Sequence, residues 1–308
     1  MERGKIVIGS RGSRLALIQA EYVAVELRAA CPDKEFEIKK IVTGGDRNRS
    51  IQLGNINSIG IFTKELEEAL LDKRIDLAVH SLKDMPTIIP EQLCLAGVLE
   101  RSDPRDVLIT RGERLDELKA GSRIGTGSPR RSVQLSTCRP DLVIHNIRGN
   151  IETRLKKIQS GEVDGVILAA AAMIRLGREK RITQYLSVDD FLPSAGQGVI
   201  GIEIRQNDDD INGLVSQINS FPTWQCVIAE RVFLNTLGGG CRAPIAALAA
   251  LDGEQLHLDG MVASSDGTKM LRSSRKGGLT SAEETGRDLA QELLGIGAAK
   301  LLEGAVVN

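Results

Sequence analysis

Ile75-Asp76-Leu77-Ala78-Val79-His80-Ser81-Leu82-Lys83-Asp84-Met85-Pro86 is the stretch that decides the fold. Its first six residues are a short apolar run that reads as a buried strand. A hydroxyl, a cation and a carboxylate follow at once, and a proline closes the segment. A buried strand running into a polar turn is how a helix-covered parallel sheet presents its ligand-binding edge.

The same rhythm spreads outward from there. Lys5 to Gly9 is a short apolar strand, Ser10-Arg11-Gly12-Ser13 a polar turn, and Leu15, Ile18 and Tyr22 then take helical spacing. Phe36 to Val42 is a further strand. Phe62, Leu66, Ala69 and Leu70 make one stripe of a helix. The rhythm recurs at Arg123 to Thr126, where Gly127-Ser128-Pro129 opens an arginine-rich helix with proline in its first turn. Val143 to Ile147 is a strand, Asn150 to Ser160 a helix, and Asp164 to Ala170 a buried strand. Two such sets imply two α/β domains facing across a cleft. Residues 101–105 and 192–198 are the candidate linkers; if both join the same pair of domains, the chain crosses twice and could hinge there.

The last third is of a different kind. Trp224, Val227, Ile228 and Leu234 suit a helix that ends at the glycines, with Trp224 in the core. Asp252-Gly253 and Asp266-Gly267 separate strand-like runs, which signals hairpins. Ser281-Ala282-Glu283-Glu284 reads as a capping box opening a terminal helix. The fold class is therefore α/β, with two such domains plus a smaller α+β C-terminal domain. The boundaries are 1–99 with 194–216, 100–193, and 217–308.

With 308 residues, 42% of them hydrophobic and 26% charged, the composition is that of an ordinary globular protein. A net charge of -1 argues against a nucleic-acid partner. No apolar run approaches the roughly 20 residues of a membrane helix, and the first residues show no signal-peptide core, so a cytoplasmic location is expected. Five scattered cysteines with no C-x-x-C pair argue against disulfides or a zinc site. Three histidines leave little room for multi-histidine chemistry, and no metal is expected.

Polar clusters at three strand ends carry the chemistry. Ser10 to Ser13, His80 to Pro86 and Gly125 to Arg131 each offer hydroxyls, cations or helix N-terminal N–H groups, which suit anions. Arg148, Asn150, Arg154 and Arg175 add to them. Adjacent Arg130 and Arg131 repel one another unless an anion joins them. Asp84 beside Lys83 reads either as a local cap or as an ionised catalytic carboxylate in a cationic cleft. His80 reads as a satisfied strand-end histidine. Gly238-Gly239-Gly240-Cys241 has two readings: a tight turn with a bystander thiol, or an open sulfur able to carry a covalent group.

These motifs together resemble the porphobilinogen deaminase, or hydroxymethylbilane synthase, family. The resemblance rests on Ser10-Arg11-x-Ser13, His80 to Pro86, Arg130-Arg131, Ile147 to Asn150, Thr153-Arg154, Arg175-Leu176-Gly177, Pro193-x-x-Gly196-Gln197-Gly198 and Gly239-Gly240-Cys241, and spans essentially the whole chain. It implies two periplasmic-binding-protein-like domains around a cleft, with a third domain bearing the cysteine. It implies a transferase joining four porphobilinogen molecules, with loss of ammonia, into the linear tetrapyrrole hydroxymethylbilane. The growing pyrrole chain is carried on a dipyrromethane cofactor attached through Cys241 by a thioether. Asp84 corresponds to the family aspartate that stabilises positive charge on the pyrrole and handles protons. Lys83, Thr126, Ser128, Arg130, Arg131, Arg148 and Asn150 fall to the cofactor. Arg11, Ser13, Arg154, Arg175 and Gln197 fall to incoming substrate or the growing chain. The family suggests a monomer.

Some positions depart from the pattern. Ile59 replaces a family lysine, which puts a lid contact to substrate carboxylates in question. Gly127 and Pro129 replace a hydroxyl residue and a leucine, and Gly44 a basic residue. Activity is expected to be retained, with substrate affinity open to change. A two-lobed anion receptor without catalysis is the rival reading, opposed by the third domain and Cys241. A thiol enzyme turning over at Cys241 is a second, opposed by the scarcity of histidine.

Overall fold

The computed structural model describes residues 4–42, 63–238 and 243–303. Expectations for Gly44, Ile59, Phe62 and Cys241 fall outside the described residues. The chain divides into two compact units, Met1–Ser102 with Val199–Gln225, and Asp103–Gly198 with Cys226–Asn308.

The first unit holds a five-stranded sheet of order β2-β1-β3-β10-β4. Its strands are β1 (Lys5–Arg11), β2 (Glu35–Ile41), β3 (Leu77–Ser81), β4 (Leu93–Val98) and β10 (Ile200–Arg205). β1 runs parallel to β2 and β3, so Ile8 lies between Ile38 and Leu77. Helix α1 (Arg14–Ala30) packs Ala20, Val23, Ala24 and Leu27 on Ile6, Ile8 and Leu77, while α6 (Asp209–Ser216) adds Ile211 and Val215. The face of α1 that docks is thus built of smaller residues than the sequence stripe suggested, and Tyr22 is 48% exposed. Helix α2 (Lys64–Leu71) buries Leu66, Ala69 and Leu70 with Ile75 and Ala78 in a separate cluster.

The second unit repeats this plan with order β7-β6-β8-β5-β9. Here β5 is Asp106–Ile109, β6 Arg123–Thr126, β7 Val143–Asn146, β8 Gly165–Ala169 and β9 Gln184–Tyr185. Helix α3 (Pro129–Cys138) places Leu135 against Leu108, Ile124 and Phe191. Helices α4 (Ile151–Gln159) and α5 (Ala170–Arg175) bury Leu155, Ile158 and Met173 in a cluster with Val107 and Val166. In both sheets the fourth strand is antiparallel to its neighbours. That strand is β5, the first after the chain enters the second unit, and β10, the first after it returns. Both sheets therefore share one mixed strand plan.

A smaller C-terminal α+β portion completes the fold. Strands β11 (Ile245–Asp252), β12 (Gln255–Ala263) and β13 (Met270–Gly278) form an antiparallel meander. Gly253 (φ +60°) and Gly267 (φ +74°) supply the left-handed turn positions that the Asp-Gly pairs signal. Helix α7 (Phe221–Thr236), α8 (Ala282–Gly295) and α9 (Ala298–Glu303) cover the meander, with Phe233, Leu256, Leu258, Leu289 and Leu293 at the centre. Gly286 lets α8 approach α7: a Cβ there would overlap the Ala229 carbonyl. Trp224 is only half-buried; Cys226, Val227 and Ala229 fill the core positions instead.

The capping box at Ser281 does not form. A 3-10 turn over Leu279–Ser281 sets Ser281 at φ -104°, ψ 24°, away from the extended geometry a capping hydroxyl needs, and its side chain makes no cap bond. Thr285 Oγ1 instead donates to the Ser281 carbonyl at 2.8 Å.

Candidate active site

In the first unit, two strand ends meet at one pocket. Arg11 is the last residue of β1, and Ser13 follows as the N-cap of α1, its Oγ accepting from the Ala16 amide at 3.3 Å. β3 ends at Ser81 and gives way to a 3-10 turn, Leu82–Asp84. Leu82 and Met85 are 2% and 3% exposed, so they pin this turn from below and leave Asp84 exposed above. Arg11, Ser13, Gln19, His80, Ser81 and Asp84 line the pocket. Lys83, half-buried, is not among its lining residues. At the pocket wall, His80 Nε2 lies 3.0 Å from Glu203 Oε2, both groups buried, which makes His80 the satisfied strand-end histidine expected of it. Ser81 Oγ is bonded to the Gln19 amide at 2.8 Å.

In the second unit, the anion that joins Arg130 and Arg131 is Asp106, at the head of β5 and fully buried. Arg130 NH1 donates to Asp106 Oδ2 at 2.7 Å. Arg131 donates to Asp106 Oδ1 from Nε at 3.1 Å and NH2 at 2.8 Å. Gln197 Nε2 donates to Oδ1 at 2.9 Å and to the Pro104 carbonyl at 2.7 Å. Burial alone would push the Asp106 carboxyl up. The charges and hydrogen bonds of the two guanidiniums outweigh it and hold the group well below the usual carboxylate range. With two cations to one carboxylate, the cluster keeps a net positive charge.

The other predicted residues stand around helix starts. Thr126 is buried at the end of β6, and its Oγ1 accepts from the Ser128 amide at 3.2 Å. Ser128 caps α3, accepting from Arg131 N, and Asn150 caps α4, accepting from Thr153 N at 2.9 Å. Pro129 takes the first turn of α3, as expected. A Cβ on Gly127 would lie 2.7 Å from the Ile147 carbonyl, so backbone runs close to backbone there in this chain. Arg148 is exposed; Arg154 Nε donates to the Gly149 carbonyl at 2.8 Å. Gly149 itself has φ +111°. Arg175 NH2 donates to the Gly198 carbonyl at 2.7 Å.

Three functional or structural carboxylates escaped the sequence reading: Asp106, Glu203 and Glu230. Glu230 is buried and accepts from the Gly196 and Ala249 amides at 2.6 and 2.7 Å. For the first two the available signal is a charge set in an apolar run, Asp106-Val107-Leu108-Ile109 and Ile202-Glu203-Ile204.

The donor set fits a small polyanion: cationic side chains, capping residues and helix N-termini, with Asp106 outnumbered by its arginines. Fold and site thus define an α/β protein with cationic and capping side chains at strand ends of its second unit and, at a strand end of its first, a solvent-facing carboxylate. The chain belongs to the porphobilinogen deaminase family. Residues 6–213 match the family model described as "Porphobilinogen deaminase, dipyromethane cofactor binding domain", and residues 224–295 match "Porphobilinogen deaminase, C-terminal domain". The chain is 47% identical to the porphobilinogen deaminase of Syntrophomonas wolfei over 96% of its own length and 97% of that protein. It is 46% identical to that of Syntrophobacter fumaroxidans over 97% of each. Among solved structures, the VFT2 domain of Bordetella pertussis BvgS aligns at a TM-score of 0.44 and 14% identity over 70% of this chain and 87% of that one. The family reaction is the condensation of porphobilinogen, with release of ammonia, to hydroxymethylbilane on a dipyrromethane cofactor, and this chain is a transferase of that reaction. No helix among the described residues is long and apolar enough to cross a membrane.

Proposed function

We propose that Asp84 is the catalytic carboxylate and that Cys241 bears the dipyrromethane. The observation that carries the reading is Asp84 exposed on a turn pinned by Leu82 and Met85, lining one pocket with Arg11 and Ser13. Arg11 and Ser13 grip a carboxylate of incoming porphobilinogen there, and Arg154, Arg175 and Gln197 serve the growing chain. As ammonia leaves the aminomethyl carbon of substrate, positive charge develops on its pyrrole ring, and the Asp84 carboxylate opposes that charge. An Asp84 oxygen also carries the proton that the ring gives up.

Once bound, the dipyrromethane supplies the pyrrole carbon to which porphobilinogen is joined. Lys83, Thr126, Ser128, Arg130, Arg131, Arg148 and Asn150 hold its carboxylates. Each carboxylate removed from water without a partner costs several kcal/mol, so a donor set of this size matches a ligand bearing an acetate and a propionate on every ring. The working divisions of the chain are 1–99 with 194–216, 100–193, and 217–308, the last being the cofactor-attachment portion. The protein acts as a monomer in the cytoplasm.

Asp84→Ala tests the catalytic assignment. The variant keeps its fold and its cofactor mass but loses about 10²-fold or more of its turnover. Near-normal kcat in a folded, loaded Asp84→Ala protein removes Asp84 from the mechanism.

A further inference from the structure

Arg130, Arg131 and Gln197 all take their orientation from Asp106, a carboxylate to which no role has been given. We propose that Asp106 is a positioning residue for cofactor assembly: it straps one side of both guanidiniums so that Arg130 offers its remaining N–H groups to a pyrrole carboxylate. The proposal rests on the reading that Arg130 and Arg131 serve the dipyrromethane.

Successive residues on a helix leave it about 100° apart, so two adjacent arginines converge on one ligand only if something gathers them. Asp106 does so, with Oδ2 on Arg130 and Oδ1 on Arg131 and Gln197. The two arginines are not equally used. Arg131 spends Nε and NH2 on Asp106 and NH1 on the Ile167 carbonyl at 3.1 Å, and NH2 also reaches Gln197 Oε1 at 3.5 Å. Arg130 works through NH1 alone, donating to Asp106 and to the Leu192 carbonyl, both at 2.7 Å. Its Nε is buried and has no hydrogen-bond partner among the described residues. Arg130 is only 3% exposed, so idle donors there are costly unless an acceptor arrives.

A structural ion triad would saturate both guanidiniums. This one engages four of the five N–H groups of Arg131, leaving one on NH1, and leaves Arg130 with an unused N–H edge, the geometry for a two-bond grip on a carboxylate. Gln197 and the Leu192 carbonyl belong to the same polar segment, so Asp106 also ties that segment to the arginines. Without its charge, two buried like charges would swing apart, and a misplacement of the order of 1 Å is enough to cost catalytic assembly.

Full-length Asp106→Asn, Asp106→Glu, Arg130→Leu and Arg131→Leu proteins test this by intact mass, with near-ultraviolet circular dichroism to report folding. The readout is the rate at which apo-protein given porphobilinogen gains the increment of two porphobilinogen units less their ammonia. Asp106→Glu keeps the charge and moves it by one methylene. Folded Asp106→Asn and Asp106→Glu are both expected to load about a hundredfold more slowly, alongside slow loading in the two arginine variants. Wild-type loading in a folded Asp106 variant, with the arginine variants impaired, overturns the positioning role. Full loading in both arginine variants overturns instead the assignment of those arginines to the cofactor. If Asp106→Asn does not fold, Asp106→Glu decides. Failure of both to fold makes Asp106 a structural anchor only, which also overturns the proposal.

Discussion

Asp106 has an acid signature that can be read from the folded protein as a whole. Its carboxyl sits below its ordinary value because two guanidiniums outweigh burial. The unfolded chain therefore takes up a proton at about pH 3.9 that the folded chain refuses. The stabilisation is complete above that pH and is lost as the pH falls from there toward the depressed native value. Denaturant midpoints of the unmodified protein should fall steeply across this window. Asp106→Asn should be less stable at neutral pH by about 3–5 kcal/mol, with a shallower fall below pH 4; equal slopes in the two proteins would show that the triad does not set the acid limb. Asp266 is a surface counterpart. Hydrogen bonds from Ser264 Oγ, then from the Thr268 amide and hydroxyl, lower its carboxyl to about 2. An NMR titration of Asp266 should find it there, and an ordinary midpoint would mean the turn is not held in solution. At this scale the sequence was half legible. Arg130 and Arg131 announced that an anion must join them, yet their partner sits 24 positions from Arg130 in the chain. A contact of that span leaves no local pattern, only the oddity of aspartate heading an apolar strand.

Secondary-structure ends link stability to binding, because several residues assigned to ligands also cap helices. Ser13 Oγ accepts from the Ala16 amide, and its O–H remains a donor toward the pocket. Ser13→Ala should lose both roles, costing about 1 kcal/mol of stability and raising KM. Ser13→Asp should keep the cap, since aspartate accepts as well as serine, while its charge repels the substrate carboxylates. Stability near that of the unmodified protein with a KM raised about tenfold or more is the expected result; an unchanged KM in Ser13→Asp would leave Ser13 as a cap alone. Elements were the most legible level. The parallel strands β1, β3, β6 and β8 and helices α1 to α4 lie where apolar runs and helical spacing put them, apart from one or two residues at the ends. What escaped was β4, β5 and β10. Their pairing is with strands up to 127 positions away, as for Ile204 opposite Leu77 across β10 and β3, and an apolar run does not state its direction. The capping box failed for a similar reason, since the 3-10 turn before α8 is set by the end of β13, not by the serine itself.

On the scale of the whole molecule, the chain is two copies of one sheet plan plus a meander, and the cofactor proposal binds two of these parts together. Ser128, Arg131, Arg148 and Asn150 belong to the sheet built on residues 103–198, whereas Cys241 belongs to the stretch 226–308, both within one compact unit. A ligand attached to one and gripped by the other binds the native state and not the unfolded chain, so loading must stabilise. Cys241→Ser abolishes the thioether without touching the described core. It should lack the mass increment and melt at least about 4 °C below the loaded protein, given roughly 2–4 °C per kcal/mol for a unit of this size. Arg148 is exposed, so part of the grip is open to screening, and the gap should narrow in 1 M salt, where the Debye length falls to about 3 Å. Arg148→Leu with the cofactor still attached should melt between the two. Equal melting temperatures for loaded protein and Cys241→Ser would mean that the dipyrromethane hangs from Cys241 without being held, and the donor set around α3 and α4 would then have to serve another anion.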